Sequence, residues 1–295
     1  MRNLYRPRRS MLYVPGSVAR FIEKSRTLKV DSLILDLEDP VLPDHKEEAR
    51  RNVVAALHAG GFGYREKVVR VNALSSPWGR ADLAAVATAG ADAILFPKIE
   101  RRQDVLDALA ALDAAGAPEM PIMVLIETPA GVLRAEEIAG ASPRIACLVV
   151  GTSDLTNELH ARITPECLPM LHSISQCLLA ARANGVSIVD GVHLDLNDMH
   201  AFEYACRLAR DLGCDGKSLI HPLQIPYSND AFTPRPSSLA IAKRLIAAFA
   251  DANEAGMGVA VVDGKLVENL HITAAKRTLM IQEMIEKMEA EEQHL

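Results

Sequence analysis

Two carboxylates sit where a ligand would be bound. The apolar run Ile122-Met123-Val124-Leu125-Ile126 ends in Glu127, and a second run, Ile145 to Val150, enters Gly151-Thr152-Ser153-Asp154. Short continuous apolar runs bounded by Gly and Pro read as strands buried on both faces, and Val132 to Ala141 between them is long enough for a crossover helix. In such a βαβ unit the strands run parallel. Glu127 and Asp154 then leave the sheet at one end, the end where parallel α/β folds place their ligands. Neighbouring carboxylates repel unless a cation lies between them. Oxygen-only ligation suits Mg2+, with water and substrate oxygens completing the shell. The pair reads as a Mg2+ site. The structural alternative makes Glu127 a helix cap and Asp154 the N-cap of the next helix, with Glu158 nearby.

Other groups with chemical potential fall at comparable positions. Arg70 ends the run Lys67 to Val71. Its guanidinium suits bidentate recognition of a substrate carboxylate or enolate oxygen, and equally serves as counter-ion to Asp36, Glu38 and Asp39. Within that acidic cluster Asp36 and Glu38 share a strand face, where one of them fixes Arg70 or a metal-bound water. His193 reads as a structural hydrogen-bonder. His221, followed by Pro222, reads as well as a contact to ligand backbone or phosphate. Arg20 and Lys24 lie one helical turn apart after Tyr13-Val14-Pro15-Gly16, either as solvated surface or as a grip on a phosphate chain. The remaining histidines show no ligand spacing.

These residues need a scaffold, and one pattern supplies it. A short apolar run followed by a helical stretch recurs eight times, the runs being Met11–Val14, Ser32–Leu37, Lys67–Val71, Ala93–Phe96, Ile122–Ile126, Ile145–Val150, Ser187–Val189 and Ser218–Ile220. Helix faces support it: Ala49, Val53, Ala56 and Leu57 within 44–58 before Gly60-Gly61; Leu83, Val86 and Ala87 before Gly90; Val105, Leu106, Leu109 and Leu112 before Gly116. Eight βα units predict a closed (β/α)8 TIM barrel. An open doubly wound sheet is disfavoured because no GxGxxG follows any strand. The barrel is assigned to 1–255, with an alanine-rich helix from Ser237 to Ala255 closing it. Residues 256–295 form an appended hairpin, turned at Asp263-Gly264, and a helix from about Leu270 to Glu289. That hairpin-helix lid has too little apolar surface to stand alone, which predicts packing on its own barrel or a neighbour's, and hence an oligomer.

Composition narrows the partners. Apolar residues make up 49 % of the chain, enough for a large core, while aromatics at 4 % with one Trp argue against a stacking platform for sugars or single strands. Net charge is −6, and beyond Arg2, Arg6, Arg8 and Arg9 no basic stripe stands out, so nucleic acid is not expected. The five cysteines show no CxxC spacing and read as reduced core residues. No apolar run approaches the ~20 residues that span a bilayer, and no signal-peptide core precedes the first strand. A cytoplasmic protein with no membrane association is expected.

Taken together, Arg9-Ser10-Met11-Leu12-Tyr13-Val14-Pro15-Gly16, Leu35-Asp36-Leu37-Glu38-Asp39, Val69-Arg70-Val71-Asn72, Phe96-Pro97-Lys98, Ile126-Glu127-Thr128, Gly151-Thr152-Ser153-Asp154-Leu155 and Gly216-Lys217-Ser218-Leu219-Ile220-His221-Pro222 resemble the citrate lyase β-subunit-like family of acyl-CoA lyases, within the HpcH/HpaI-type aldolases. The pieces come in order over nearly the whole length. The resemblance implies Mg2+ on Glu127 and Asp154, Arg70 binding substrate, and the positions Tyr13, Arg20, Lys24, Ile220 and His221 holding the substrate and its CoA portion. It also implies homotrimers or hexamers in which the lid reaches a neighbouring site. Two departures stand out. Many relatives carry Glu before the metal Asp, where this chain has Ser153. Characterised acyl-CoA lyases carry an acid/base Asp just after the lid hairpin, where this chain has Glu268, with Asp263 second in rank.

The implied reaction is Mg2+-dependent carbon–carbon cleavage, or formation, of a 3-hydroxyacyl-CoA such as malyl-CoA or citramalyl-CoA. It gives acetyl-CoA and a keto acid, glyoxylate or pyruvate. Glu268, Arg70 and Asp36 form the catalytic set, with Glu127 also touching substrate. Three alternatives stay open: a thioesterase on the same substrates, an acyl-carrier-dependent citrate lyase β subunit, and a catalytically silent barrel used as a binding module.

Overall fold

The computed structural model describes residues 6–162, 164, 166–254 and 256–292, in two compact units, Arg8–Phe232 and from Thr233 onward. In the first unit the strands β1 (Ser10–Pro15), β2 (Ser32–Asp36), β3 (Glu66–Arg70), β4 (Ala93–Phe96), β5 (Ile122–Ile126), β6 (Ile145–Val150), β7 (Ser187–Asp190) and β8 (Gly216–Leu219) pair in parallel, each with the next. β8 returns to β1 through Ser10 beside Lys217, Met11 beside Ser218 and Leu12 beside Leu219. The barrel is closed, so the open sheet is excluded.

Around it run α1 (Ala19–Ser25), α2 (Lys46–Ala59), α3 (Gly79–Val86), α4 (Arg102–Ala114), α5 (Pro129–Leu133), α6 (Ala135–Ala139), α7 (Thr152–Glu158), α8 (Leu171–Ala183), α9 (Met199–Leu212) and α10 (Ile225–Phe232). The crossover expected over 132–141 is two short helices. The chain leaves helical geometry at Arg134 (φ −111°, ψ 15°), which lets Val132, Ala135 and Ile138 all bury.

Strand alternation sorts the side chains into two layers. Met11, Ile34, Val68, Leu95, Met123, Leu125, Val149 and Val189 fill the barrel interior, while Leu33, Leu35, Val69, Leu148 and Ile188 meet the helices outside. Buried ion pairs lie at the N-terminal strand ends. Arg8 Nη2 lies 2.7 Å from Glu66 and Arg9 Nη2 lies 2.8 Å from Asp31, all four residues being buried. Arg8 and Arg9 are therefore bolts of the barrel floor rather than a basic surface; Arg2 lies outside the described residues.

The second unit consists of α11 (Pro236–Glu254), the hairpin β9 (Ala260–Val262) and β10 (Lys265–Val267), and α12 (Asn269–Glu292). Asp263 and Gly264 both take positive φ, 52° and 74°, the geometry of a two-residue hairpin turn. The two compact units divide between Phe232 and Thr233. Ala252 packs with Ala260, Val267 and Ile272, and Leu245, Ile246 and Phe249 pack against that cluster, so α11 spends its apolar face within the second unit. The expected helix end at Ala255 lies outside the described residues. No helix among the described residues is long and apolar enough to cross a membrane. None of the five cysteines forms a disulfide, and burial pushes the thiols of Cys147, Cys177 and Cys206 up to about 12.

Candidate active site

The inward alternation of β2, β3 and β5 continues past the apolar layer, so the next inward residues, Asp36, Arg70 and Glu127, point into the barrel mouth. Parallel register places Asp36 directly beside Arg70. Arg70 Nε donates to Asp36 Oδ1 at 2.8 Å and Nη2 to Asp36 Oδ2 at 2.6 Å, a bidentate fork. The remaining nitrogen, Nη1, lies 2.9 Å from Glu38 Oε2 and 3.2 Å from Asp39 Oδ2, and the Tyr13 ring stacks under the guanidinium at 4.8 Å. Asp36 thus serves as the positioning anchor of Arg70.

The acids of this rim differ in how far they are compensated. Burial pushes Glu38 up to about 7, opposed by Arg70 and assisted by its hydrogen bond to Asp39. Asp39 goes the other way: despite burial, the hydrogen bond with Glu38 and the charges of Arg70 and Lys98 hold it below the ordinary carboxylate range. Glu127 is the least compensated. It is 1 % exposed, Oε1 accepts the backbone N–H of Lys98 at 2.8 Å, and Oε2 has no hydrogen-bond partner. Burial, then the charges of Glu38 and Asp154, push it up to about 8.

The capping alternative fails for both expected ligands. Thr128 caps α5, its Oγ1 accepting from Gly131 N at 3.1 Å, and Gly151 is the N-cap of α7, which leaves Asp154 in the first turn facing the cavity. Ile126 pairs with Val150, so Glu127 and Gly151 are immediate neighbours across the sheet. A Cβ at Gly151 would stand 2.3 Å from Glu127 Cβ and 3.0 Å from its Oε2. Gly151→Ala is therefore expected to cost about 1–3 kcal/mol in chemical denaturation, with Glu127 displaced.

One cavity of about 480 Å3 joins these groups, lined by Tyr13, Asp36, Arg70, Glu127, Asp154 and Ile220 among others. A bare buried carboxylate oxygen beside a second carboxylate calls for a cation. Among the described residues no group of three or more His, Cys, Asp or Glu is arranged to hold a metal. Two carboxylates are nevertheless a donor set that fits Mg2+, which keeps several waters or substrate oxygens of its own.

Within the barrel unit, Arg20, Lys24, His193 and His221 are not among the residues that line this cavity. Arg20 and Lys24 are exposed on α1, with the Arg20 guanidinium 5.1 Å over the Phe21 ring. His221 caps the turn Pro222–Gln224, its Nδ1 accepting from Leu223 N at 3.1 Å, so its other ring nitrogen carries the proton. His193 packs its ring against Phe202 at 5.6 Å between centroids. Glu268 belongs to the second unit, exposed, with its backbone N–H donating to His271 Nδ1 at 3.0 Å.

Two groups, Lys46 and Gln224, escaped the sequence reading, and Lys98, quoted there within Phe96-Pro97-Lys98, had no role assigned to it. Lys46 is buried and its Nζ donates to Leu37 O, Glu38 O and Asn72 Oδ1 at 2.9, 2.8 and 2.6 Å, holding the loop that carries Glu38. Its signal was present, since Lys46 shares the apolar stripe of Ala49, Val53 and Ala56. Lys98 takes φ 55°, a strained conformation for a side-chain-bearing residue, which aims its N–H at Glu127. Gln224, fully buried, accepts through Oε1 from Ile220 N at 2.9 Å and donates through Nε2 to His193 O at 2.9 Å, tying two rim loops together. No local pattern marks either of these two.

Residues 9–222 match the family model HpcH/HpaI aldolase/citrate lyase. The chain is 49 % identical over 279 residues to a (3S)-malyl-CoA thioesterase of Cereibacter sphaeroides (strain KD131 / KCTC 12085), covering 95 % of this chain and 96 % of that protein. It is 38 % identical over 278 residues to the citrate lyase subunit beta of Haemophilus influenzae, covering 92 % and 96 %. In three dimensions it resembles the CitE protein of Mycobacterium tuberculosis solved with magnesium, acetoacetate and coenzyme A, with TM-score 0.76, 28 % identity, and coverage of 96 % of this chain and all of that one. The closed parallel barrel, the paired acids at its mouth and these matches have one reading: the chain belongs to the HpcH/HpaI aldolase/citrate lyase family.

Proposed function

We propose that this protein hydrolyses the thioester of a short 3-hydroxy dicarboxylic acyl-CoA of the malyl-CoA type, with Mg2+ held by Glu127 and Asp154. The observation that carries the reading is one cavity with a bare buried carboxylate and Asp154 on one side and Arg70, stacked on Tyr13, on the other. Hydrolysis is favoured over other outcomes by the 49 % identity to a malyl-CoA thioesterase, and Mg2+ by the magnesium complex of CitE. Bound there, Mg2+ supplies a Lewis acid for the hydroxyl, carboxylate or carbonyl oxygens of the substrate.

The chain's own residues do the rest. Asp36 fixes Nε and Nη2 of Arg70, which leaves Nη1, held only by the rim acids Glu38 and Asp39, to turn toward a developing oxyanion. Glu38, near 7, is poised to accept or return a proton at neutral pH. Gln224 places Ile220 on the cavity wall. Gln224→Leu, which removes its hydrogen bonds to Ile220, His221 and His193, is expected to raise KM for the thioester about tenfold with a smaller change in kcat, as measured by steady-state kinetics.

Metal uptake should depend on pH in a definite direction. Glu127 is raised from 4.5 to about 8, so below that pH metal entry displaces a proton. Mg2+ affinity is expected to rise by up to about tenfold per unit from pH 6 to 7.5, with proton release visible by calorimetry in buffers of different ionisation enthalpy. The sign for stability follows. A raised carboxylate contributes its stability below 4.5 and loses it as pH rises through 8, so metal-free protein should be more stable at pH 5 than at pH 8 in this term.

A second reading is carbon–carbon cleavage to acetyl-CoA and glyoxylate, or pyruvate from citramalyl-CoA. It is favoured by the retained carboxylate at Glu268 and by the likeness to citrate lyase β. The hairpin unit leaves Val261, Leu266 and Leu270 exposed, which supports assembly into the trimer or hexamer that this reading includes. The test is incubation with (3S)-malyl-CoA and citramalyl-CoA, with Mg2+ or EDTA, assaying free CoA, acetyl-CoA and keto acid separately. Free CoA without keto acid supports hydrolysis. Keto acid matching acetyl-CoA replaces it with the lyase.

A further inference from the structure

Beside the barrel mouth lies a second chamber of about 200 Å3. It shares Thr152, Ser153, Val192 and Leu194 with the first cavity, so those four residues form a common wall. Its far side lies outside the barrel strands, under the loops that follow β6 and β7, where Ala205 of α9 forms part of the lining. Asp190, at the end of β7 and 4 % exposed, accepts from Lys217 Nζ through Oδ2, while its Oδ1 has no partner. His193 Nε2 and Thr164 Oγ1 line the same chamber, buried and likewise without a hydrogen-bond partner.

Buried polar atoms left without a hydrogen-bond partner are destabilising, so the chamber needs a polar occupant. An apolar group would satisfy none of them. An anion would have Arg162 beside it but would also face the Asp190 carboxylate, to which Lys217 is already committed, and a metal would find only that one paired carboxylate. Water remains: it both donates and accepts, and it is stable in a cavity that offers it two to four polar partners. Roughly 30 Å3 per molecule leaves room for several.

We propose that this chamber holds an ordered water file, anchored on Asp190, His193 and Thr164, that supplies the water consumed in thioester hydrolysis. The inference rests on the hydrolytic reading. In that step the water oxygen bonds to the thioester carbonyl carbon as the carbon–sulfur bond breaks. One water proton ends on the departing CoA sulfur, and the second leaves through the file to solvent as the carboxylate forms. Carbon–carbon cleavage consumes no water, so only hydrolysis depends on the chamber. Ser153 gives the common wall a small hydroxyl at the position next to Asp154.

The test uses two variants away from the metal acids and one structural measurement. Ala205→Met fills the chamber from α9, and His193→Leu removes part of its polar wall. Each is expected to lower kcat for free CoA release from (3S)-malyl-CoA at least tenfold, with KM within twofold and Mg2+ affinity unchanged. A crystal structure of the parent protein at water-resolving resolution should show ordered water on Asp190 Oδ1. A parent protein that releases no free CoA overturns both the hydrolytic reading and the water file. A parent that releases CoA while both variants keep its rate overturns the water file alone. A dry chamber does the same even if the variants fail to fold.

Discussion

Glu127→Gln is expected to lower Mg2+-dependent turnover about a thousandfold while leaving the protein at least as stable as the parent at pH 8. The two effects have one cause. Glu127 is buried with one oxygen bare, pushed up to about 8 by burial and by its neighbours Glu38 and Asp154. Without metal, its negative charge is a burden on the fold above that pH. Gln has nearly the same shape, can still accept the Lys98 N–H, and carries no charge, so the burden is removed together with the metal's buried ligand. Electrostatic stabilisation at a developing oxyanion is commonly worth 10²–10³ in rate, and loss of the metal adds to that. Thermal melts at pH 5 and pH 8 without metal should show the variant's advantage only at pH 8, since at pH 5 the parent's Glu127 is protonated. Calorimetric titration should show Mg2+ binding lost. A variant with parental activity and parental Mg2+ affinity would remove Glu127 from the site.

Arg70→Met is the second large effect, and here the fold is expected to suffer with the activity. Arg70 is 7 % exposed and compensates Asp36, Glu38 and Asp39 at once. Removing one partner of a buried ion pair typically costs about 3–5 kcal/mol, because the remaining charge is left in a poor medium. Asp36 carries most of that penalty, as it is 1 % exposed and holds two of the three guanidinium nitrogens. Adding Asp36→Asn to Arg70→Met should therefore recover part of the stability in urea titrations and none of the turnover. Equal stabilities of the single and double variants would show that Asp36 is not the stranded charge. Arg70→Lys should keep more stability than Arg70→Met yet lose most activity, because an ammonium cannot make the planar fork that Asp36 orients.

Much of the scaffold was legible from periodicity alone. Each of the eight runs became a strand, since a continuous apolar run is what a strand buried on both faces requires, and the Asp263-Gly264 turn followed from the left-handed backbone both residues adopt. What the pattern left open has physical reasons. The helix over 236–254 has an apolar stripe that fits either partner, and its packing on Ala260, Val267 and Ile272 is a tertiary feature. The crossover at 132–141 breaks at Arg134, where no Gly or Pro announces it. Gln224 and Lys98 act through a buried amide and a backbone N–H, roles that leave no mark in local pattern.

The sequence by itself determined the eight-fold repeat, the closed barrel, and which residues stand at the ends of its strands, because these depend on alternation and breakers within a few neighbouring positions. Only the tertiary structure decided which of those acids are neutralised and which is left bare. Asp36, Glu38 and Asp39 are drawn onto Arg70, whereas Glu127, 57 residues further along than Arg70, keeps an open oxygen toward the cavity it shares with Asp154. Charge state is set by burial and by neighbours that arrive from distant strands, and those distances exist only once the barrel has closed.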